Sequence, residues 1–432
     1  MDTTSVISTW TALIRQFFPV FTAPSAEIFL ALVTGWILCT GRHTITGILP
    51  FVDPMGKHAH DAFHRFLPDA HWDMETLWKL LTVLLVKTFA ASGVVALDLD
   101  DTLFHRCGRK VNGAGWWRDA VRSTQTRTVY AWGLNLVVLT LRVTPPWGGE
   151  PLGLPLLMRL HRKGDDSLID LAEAMLQQVA SWLPERAFRL HADGFYAPLA
   201  GRRLVRIHLV SRMRRDADLY EPLRATGGKK KSGRPRKKGR RLSAPQQMAR
   251  HVHSWRSVTT VERGHVRKRW IYARRVLWYH VSKTPVLLVI SRDPEGKEHD
   301  DFFFTTDLSL TPEQVIGGFA GRWSIEDTFK NTKQFIGGQG PQTWKGQGPE
   351  RAAMLSLWLS SVVWIWYLSK EGRPGKVRIL PWYPQKVHPS FQDALASLRR
   401  HLWSQLIISM FGKRLGHDKK TDVLLEALSR AA

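Results

Sequence analysis

The sequence is short of cysteine and, over one long stretch, of acid. Only two cysteines occur in 432 residues, Cys39 and Cys107. That excludes a disulfide framework and a cysteine-based zinc site, and it suits a reducing, cytoplasmic (nucleoid-associated) setting. No basic segment followed by an apolar run stands at the N-terminus, so no signal peptide is expected. The two apolar runs, 28–39 and 354–368, fall below the roughly 20 residues of a membrane span and are expected as buried core helices. Between residues 201 and 290 only four acids (Asp216, Asp218, Glu221, Glu262) stand against 25 Lys/Arg. Nearly all of the chain's formal charge of +25 is therefore concentrated there. Such a field favours a polyanion over plain solubility or an acidic membrane, and nucleic acid is the expected partner.

What is present suits a globular protein, with 44% apolar and 10% aromatic residues. The densest basic segment is GGKKKSGRPRKKGRR, residues 227–241, with nine cations and no acid. Lys229, Lys230, Lys231, Arg234, Arg236, Lys237, Lys238, Arg240 and Arg241 are the residues expected to grip phosphates. The glycine and proline content of this arm predicts a disordered loop that orders on DNA.

The texture of the chain changes four times. Residues 1–88 read as a helical, DNA-binding region; His58, His60 and His64 cluster there without the Cys or carboxylate partners of a metal site. Residues 89–213 alternate strand, hairpin, helix and strand, which predicts a mixed α/β sheet. Here 92–102 is an apolar run ending in acids. Segments 126–132 and 134–143 read as two strands joined through Gly133. A helix over 165–183 is capped by Asp166 or Ser167. Residues 214–300 read as a basic, β-rich insertion. Residues 301–345 hold a last strand and a helix that opens on Thr311-Pro-Glu-Gln and runs to about residue 335. Residues 346–432 read as helices, with a role in dimerisation.

Three acidic elements carry the chemistry. In the first run, strand alternation puts Asp98 and Asp100 on one face and Asp101 on the other. A second strand, 188–193, delivers Asp193 before Gly194 turns the chain. On the helix after Thr311, the residues Phe319, Arg322, Glu326 and Lys333 fall on one stripe. Each alone reads equally well as a plain turn or an ordinary salt-bridged face. Together, carboxylates from two strands and a helix can hold two Mg²⁺ ions, since hard cations take oxygen ligands. Two such ions can drive phosphodiester cleavage, with Arg322 and Lys333 on neighbouring phosphates.

The helix pattern F-x2-R-x3-E-x6-K resembles the Y-R-E-K signature of bacterial cut-and-paste insertion-sequence transposases, in the DDE superfamily with an RNase H-like core. Phe319 stands where that signature has tyrosine, so the ring is kept and the hydroxyl lost. The segment LDLDDTLFHRCGRKVNGAGW resembles the family's first-Asp block and points to Asp100; HADGFYA resembles the second and points to Asp193; RWSIEDTFKNTKQFIG supplies Glu326. The resemblance covers roughly residues 90–345 and implies Asp100, Asp193 and Glu326 as catalytic metal ligands. It further implies Mg²⁺ (two ions, with Mn²⁺ as substitute), cleavage at transposon inverted repeats, strand transfer into target DNA, and a homodimer on the paired ends. Relatives with this signature resolve the second strand through a hairpin with the help of a stacking tryptophan; Trp255, Trp270 and Trp278 are the ones available in the insertion. Other readings stay open on the residues: a DNA-binding regulator, an inactive transposase relative, or a nuclease that cleaves without joining.

Overall fold

The computed structural model describes residues 10–124, 126–223, 236–371, 383–411 and 419–430. Among the described residues five α-helices come first: α1 (Trp10–Arg15), α2 (Ala23–Leu38), α3 (Ile45–Ile48), α4 (His60–Phe66) and α5 (Met74–Phe89). Then follow β1 (Val95–His105), β2 (Gly115–Arg118), β3 (Tyr130–Val143), β4 (Leu152–His161), α6 (Leu168–Trp182), β5 (Phe188–Ala192) and β6 (Ile207–Arg212). Next are α7 (Pro245–His251), β7 (Arg256–Glu262), β8 (His265–Val276), β9 (Val286–Arg292) and β10 (Asp301–Thr305). The chain closes with α8 (Pro312–Gly321), α9 (Ser324–Gln334), α10 (Gly348–Glu371), α11 (Phe391–Phe411) and α12 (Lys419–Arg430).

All ten strands belong to one sheet, in the order β2-β3-β1-β5-β6-β10-β9-β8-β7, with β4 also paired to β3. β1, β5 and β6 run parallel, and the other pairs are antiparallel. The inner order β4-β3-β1-β5-β6 is the mixed, RNase H-like core that was expected. The β-rich segment read as an insertion is hydrogen-bonded into the same sheet through β9 and β10. A strand's own sequence does not name its partner, so this continuity was not legible.

Gly133 does not turn a hairpin. It lies inside the single strand β3, where an added Cβ would stand 2.3 Å from the Phe104 carbonyl oxygen. Glycine is there because β1 and β3 approach too closely for any side chain. Ser167 caps α6, its hydroxyl accepting from the Asp170 amide.

Both apolar runs are core helices. α10 has the length and composition of a membrane span, yet it is apolar all round because it is buried within the fold. Its Trp358 meets the Phe17 ring edge-on at 4.8 Å, and Ser360 meets Thr332 of α9 at 2.7 Å. Arg351 donates to the Leu67 and Trp72 carbonyls at 3.0 and 2.7 Å, fastening α10 to the N-terminal helices. The two helical ends thus build one core with the sheet.

Candidate active site

β1 and β5 are adjacent and parallel, and Leu99 pairs with Ala192. Asp100 and Asp193 therefore follow at neighbouring positions on strands about 4.8 Å apart. Asp193 is exposed and caps the turn after β5, its Oδ1 accepting from the Gly194 amide at 2.6 Å. The Ser211 hydroxyl on β6 donates to the Asp193 carbonyl at 3.0 Å and fixes the backbone there.

The third acid arrives from above the sheet. The stripe expected on one helix is divided: α8 ends at Gly321 and α9 begins at Ser324, with Arg322 in the break. Arg322 keeps helical torsions, φ −55° and ψ −28°, so the sequence periodicity runs straight through. Its guanidinium donates to Asp100 at 2.6 Å and to Glu326 at 2.9 Å, while its Nε has no hydrogen-bond partner. Asp193, Arg212, Arg263, Phe319, Arg322 and Trp323 face one open cleft. The Phe319 ring packs on Phe303 at 4.9 Å and lies 5.5 Å from both the Arg212 and Arg322 guanidinium carbons. The position without the tyrosine hydroxyl is thus filled by an apolar ring under two cations.

Asp98, Asp100 and Asp101 divide as strand alternation requires. Asp98 is fully buried against Arg142, which donates from Nε at 3.1 Å and also from its terminal nitrogen. The Ser324 hydroxyl donates to Asp98 at 3.1 Å, and Arg142 donates to the Gly318 carbonyl at 2.6 Å. On the other face Asp101 accepts from the Tyr196 hydroxyl at 3.1 Å.

The electrostatics follow from burial. Desolvation pushes the Asp100 carboxyl up to about 7, with Asp101 and Glu326 adding to the rise and Arg322 opposing it. Burial also raises Asp101 and Glu326. Burial would lower Arg322, but Asp100 and Glu326 outweigh it and hold the guanidinium above its ordinary value. Lys333 stands apart, 5.7 Å from the Phe104 ring centre, and burial lowers it to about 8.

The donor set is all carboxylate oxygen, and Asp100 and Glu326 already converge on one cation, the Arg322 guanidinium. These donors fit a hard divalent ion. Among the described residues no three His, Cys, Asp or Glu side chains form a ready ligand set.

The remaining expected residues are spread out. Trp270 is 40% exposed, whereas Trp278 is buried edge-on against Phe304 at 5.4 Å. Trp255 lies under the Arg292 guanidinium at 4.3 Å. Trp323, 42% exposed with Arg263 4.8 Å over its ring, is a further aromatic of the cleft. In the basic arm, Lys229, Lys230, Lys231 and Arg234 lie outside the described residues. The arm's C-terminal end is pinned rather than loose: Arg241 pairs with Asp218 at 2.7 Å, Arg240 with Glu221 at 3.6 Å, and Lys238 stands 3.9 Å over Tyr220. Arg236 and Lys237 extend from that anchored end. His60 and His64 stack at 4.5 Å on the exposed side of α4.

The fold and cleft define an α/β protein whose acids on adjacent central strands meet a third acid from a covering helix. The chain belongs to the DDE superfamily endonuclease family, whose pattern it matches over residues 16–285. That match spans Asp100 and Asp193 and stops before Glu326. No curated protein matches the sequence. Among solved structures it is similar to a cryo-EM structure of the piggyBac transposase synaptic complex with hairpin DNA, at 9% identity and a TM-score of 0.42, covering 99% of this chain and 83% of that one.

Proposed function

We propose that this protein is a DNA transposase of cut-and-paste type, acting on double-stranded DNA at its element's inverted repeats and joining the freed 3′ ends to target DNA. The observation that carries the reading is Arg322 bridging Asp100 and Glu326 beside Asp193, in a cleft whose rim is rich in arginine. Asp100, Asp193 and Glu326 would hold two Mg²⁺ ions, with Mn²⁺ as a substitute. Bound metal would supply a nucleophile at neutral pH and charge stabilisation for the leaving oxygen. The protein's own groups do the rest. Arg322, released from the carboxylates, is placed to take a phosphate oxygen, and Arg212 and Arg263 line the approach. Synapsis of two ends calls for a homodimer. The open face of Trp270 makes it the stacking residue we favour for a hairpin route.

The test is the full chain with Mg²⁺ on DNA carrying its own ends. Cleavage and joining are expected, and Asp100→Asn, Asp193→Asn and Glu326→Gln should each lower both by about 10³-fold or more, the scale on which removing one charge-stabilising group acts. Precleaved ends that are not joined would leave a nuclease without strand transfer. Binding without either step, unchanged in Asp100→Asn, would leave a regulator.

A further inference from the structure

The strand that carries Asp100 ends at a second pocket, and the segment that follows the helix carrying Glu326 reaches the same pocket. β1 runs on five residues from Asp100 to His105, about 17 Å. α9 ends at Gln334, and the segment after it forms the pocket's other wall, where Gln339 accepts from the His105 amide at 2.6 Å. Arg42, from between α2 and α3, closes the third side. The wall contains four cations, Arg42, Arg106, Arg109 and Lys110, and no acid. None of the four has an ion-pair partner among the described residues. The only carboxylate bonded to His105, Asp119, is buried and also engages Arg122 at 3.5 Å.

Arg106 is the telling member. It is 8% exposed, and burial lowers it to about 10. Among the described residues its terminal nitrogens donate to backbone carbonyls, one to Gln339 at 3.1 Å and His105 at 3.3 Å and the other to Gly338 at 3.5 Å, and its Nε has no partner. A buried cation without an anion is costly, and a phosphate is the anion that would relieve it. At the rim, Trp344 is 47% exposed and offers an apolar face beside Lys345, 4.8 Å from its ring centre.

We propose that this pocket is a second DNA-backbone site, gripping a phosphate of the bound duplex while Trp344 packs on the adjoining sugar. Phosphates repeat every 3.4 Å or so along each strand, so the gripped one lies about five nucleotides from the phosphate at Asp100. The site rests on the transposase reading for its ligand, but not for its test.

Cys107 lines the pocket and is exposed, whereas Cys39 is buried. The full chain is therefore incubated without metal with a random duplex of about 30 bp, long enough to span both sites, and Cys107 is alkylated with iodoacetamide. At a free duplex concentration of about 10 Kd, alkylation should slow about ten-fold, in line with the unbound fraction. In Arg109→Gln/Lys110→Gln, the plot of log affinity against log salt should flatten by about 0.9, the equivalent of the one phosphate gripped. Full alkylation under bound duplex, or an unchanged slope, overturns the site, and it does so even where metal-dependent cleavage stands. Protection and flattening in a protein that never cleaves would uphold the site and sink the transposase reading. A chain that binds no duplex sinks both.

Discussion

Lys333 is a half-buried cation two turns beyond Glu326 on α9, and under the proposed DNA binding its position predicts an affinity that depends on pH. Burial holds it at about 8 instead of 10.5. A phosphate docking beside it would raise that value, so binding above pH 8 takes up a proton. Affinity should be flat below about pH 7 and fall between about 8 and 10, by about ten-fold for each unit that phosphate raises the lysine. The linkage to folding has the opposite sign. The folded value lies below the unfolded one, so the unfolded chain binds more protons between about 8 and 10.5, and the lysine's burden on stability eases as pH climbs through that window. Anisotropy titrations at constant ionic strength check the first effect. Lys333→Arg, which keeps its charge throughout, should remove the pH dependence; persistence of the fall in that variant would assign it elsewhere. The residue itself was legible from its spacing on the stripe. Its separation from Arg322 follows from their spacing of eleven residues, about 16 Å along a helix, although the two share one stripe.

That break is held by a buried clamp. Arg142 on β3 joins Asp98 on β1 to the Gly318 carbonyl on α8, and Ser324 at the start of α9 donates to the same aspartate. Gly318 and Gly321 let the helix come this near: a Cβ at Gly318 would stand 2.9 Å from the His191 Nε2, and one at Gly321 2.7 Å from an Arg142 nitrogen. The clamp sets where Arg322 and Glu326 sit over Asp100. Removing one partner leaves the other charge buried alone, so Asp98→Asn or Arg142→Met should each cost about 3–5 kcal/mol, while the pair replaced by apolar residues of similar volume should recover most of it. Denaturant melts of the single and double variants decide this; additive losses would mean that the two side chains do not act as a unit. In the sequence, Asp98 is one acid among three on a strand. The alternation placed it on the Asp100 face correctly, but a partner 44 residues away leaves no local signal. The acids themselves were legible because each follows an apolar strand run or interrupts an apolar helix face, where an unpaired carboxylate needs a reason, although β1 continues past Asp100 to His105.

At the scale of the whole molecule, the sheet runs unbroken from the acidic core through β10 and the apolar β9 into β8, which carries Arg267, Lys268, Arg269, Arg274 and Arg275, and on to β7. The positive charge of β8 is thereby attached to the sheet that carries Asp100. The arm's end at Arg240 and Arg241 is ion-paired to Glu221 and Asp218, so its nine cations are not equivalent. Lys229, Lys230, Lys231, Arg234 and Lys237, together with Arg236, are the ones expected to bind DNA, and Arg241 the one expected to hold the arm's base. Changing the first five to glutamine should weaken binding to all sequences alike and flatten the salt dependence by about 0.9 for each phosphate no longer neutralised. At low salt and saturating DNA the metal-dependent cleavage rate should stay within about two-fold of the parent, because an interaction made equally in ground and transition states changes KM and not kcat. Arg241→Gln should instead free Asp218 and lower affinity through loss of the arm's orientation, with the salt slope little changed. Rates at saturating DNA, measured beside the salt titration, separate the two. A collapse of the saturated rate in the five-residue variant would place the arm within the chemical step and refute its role as a grip alone.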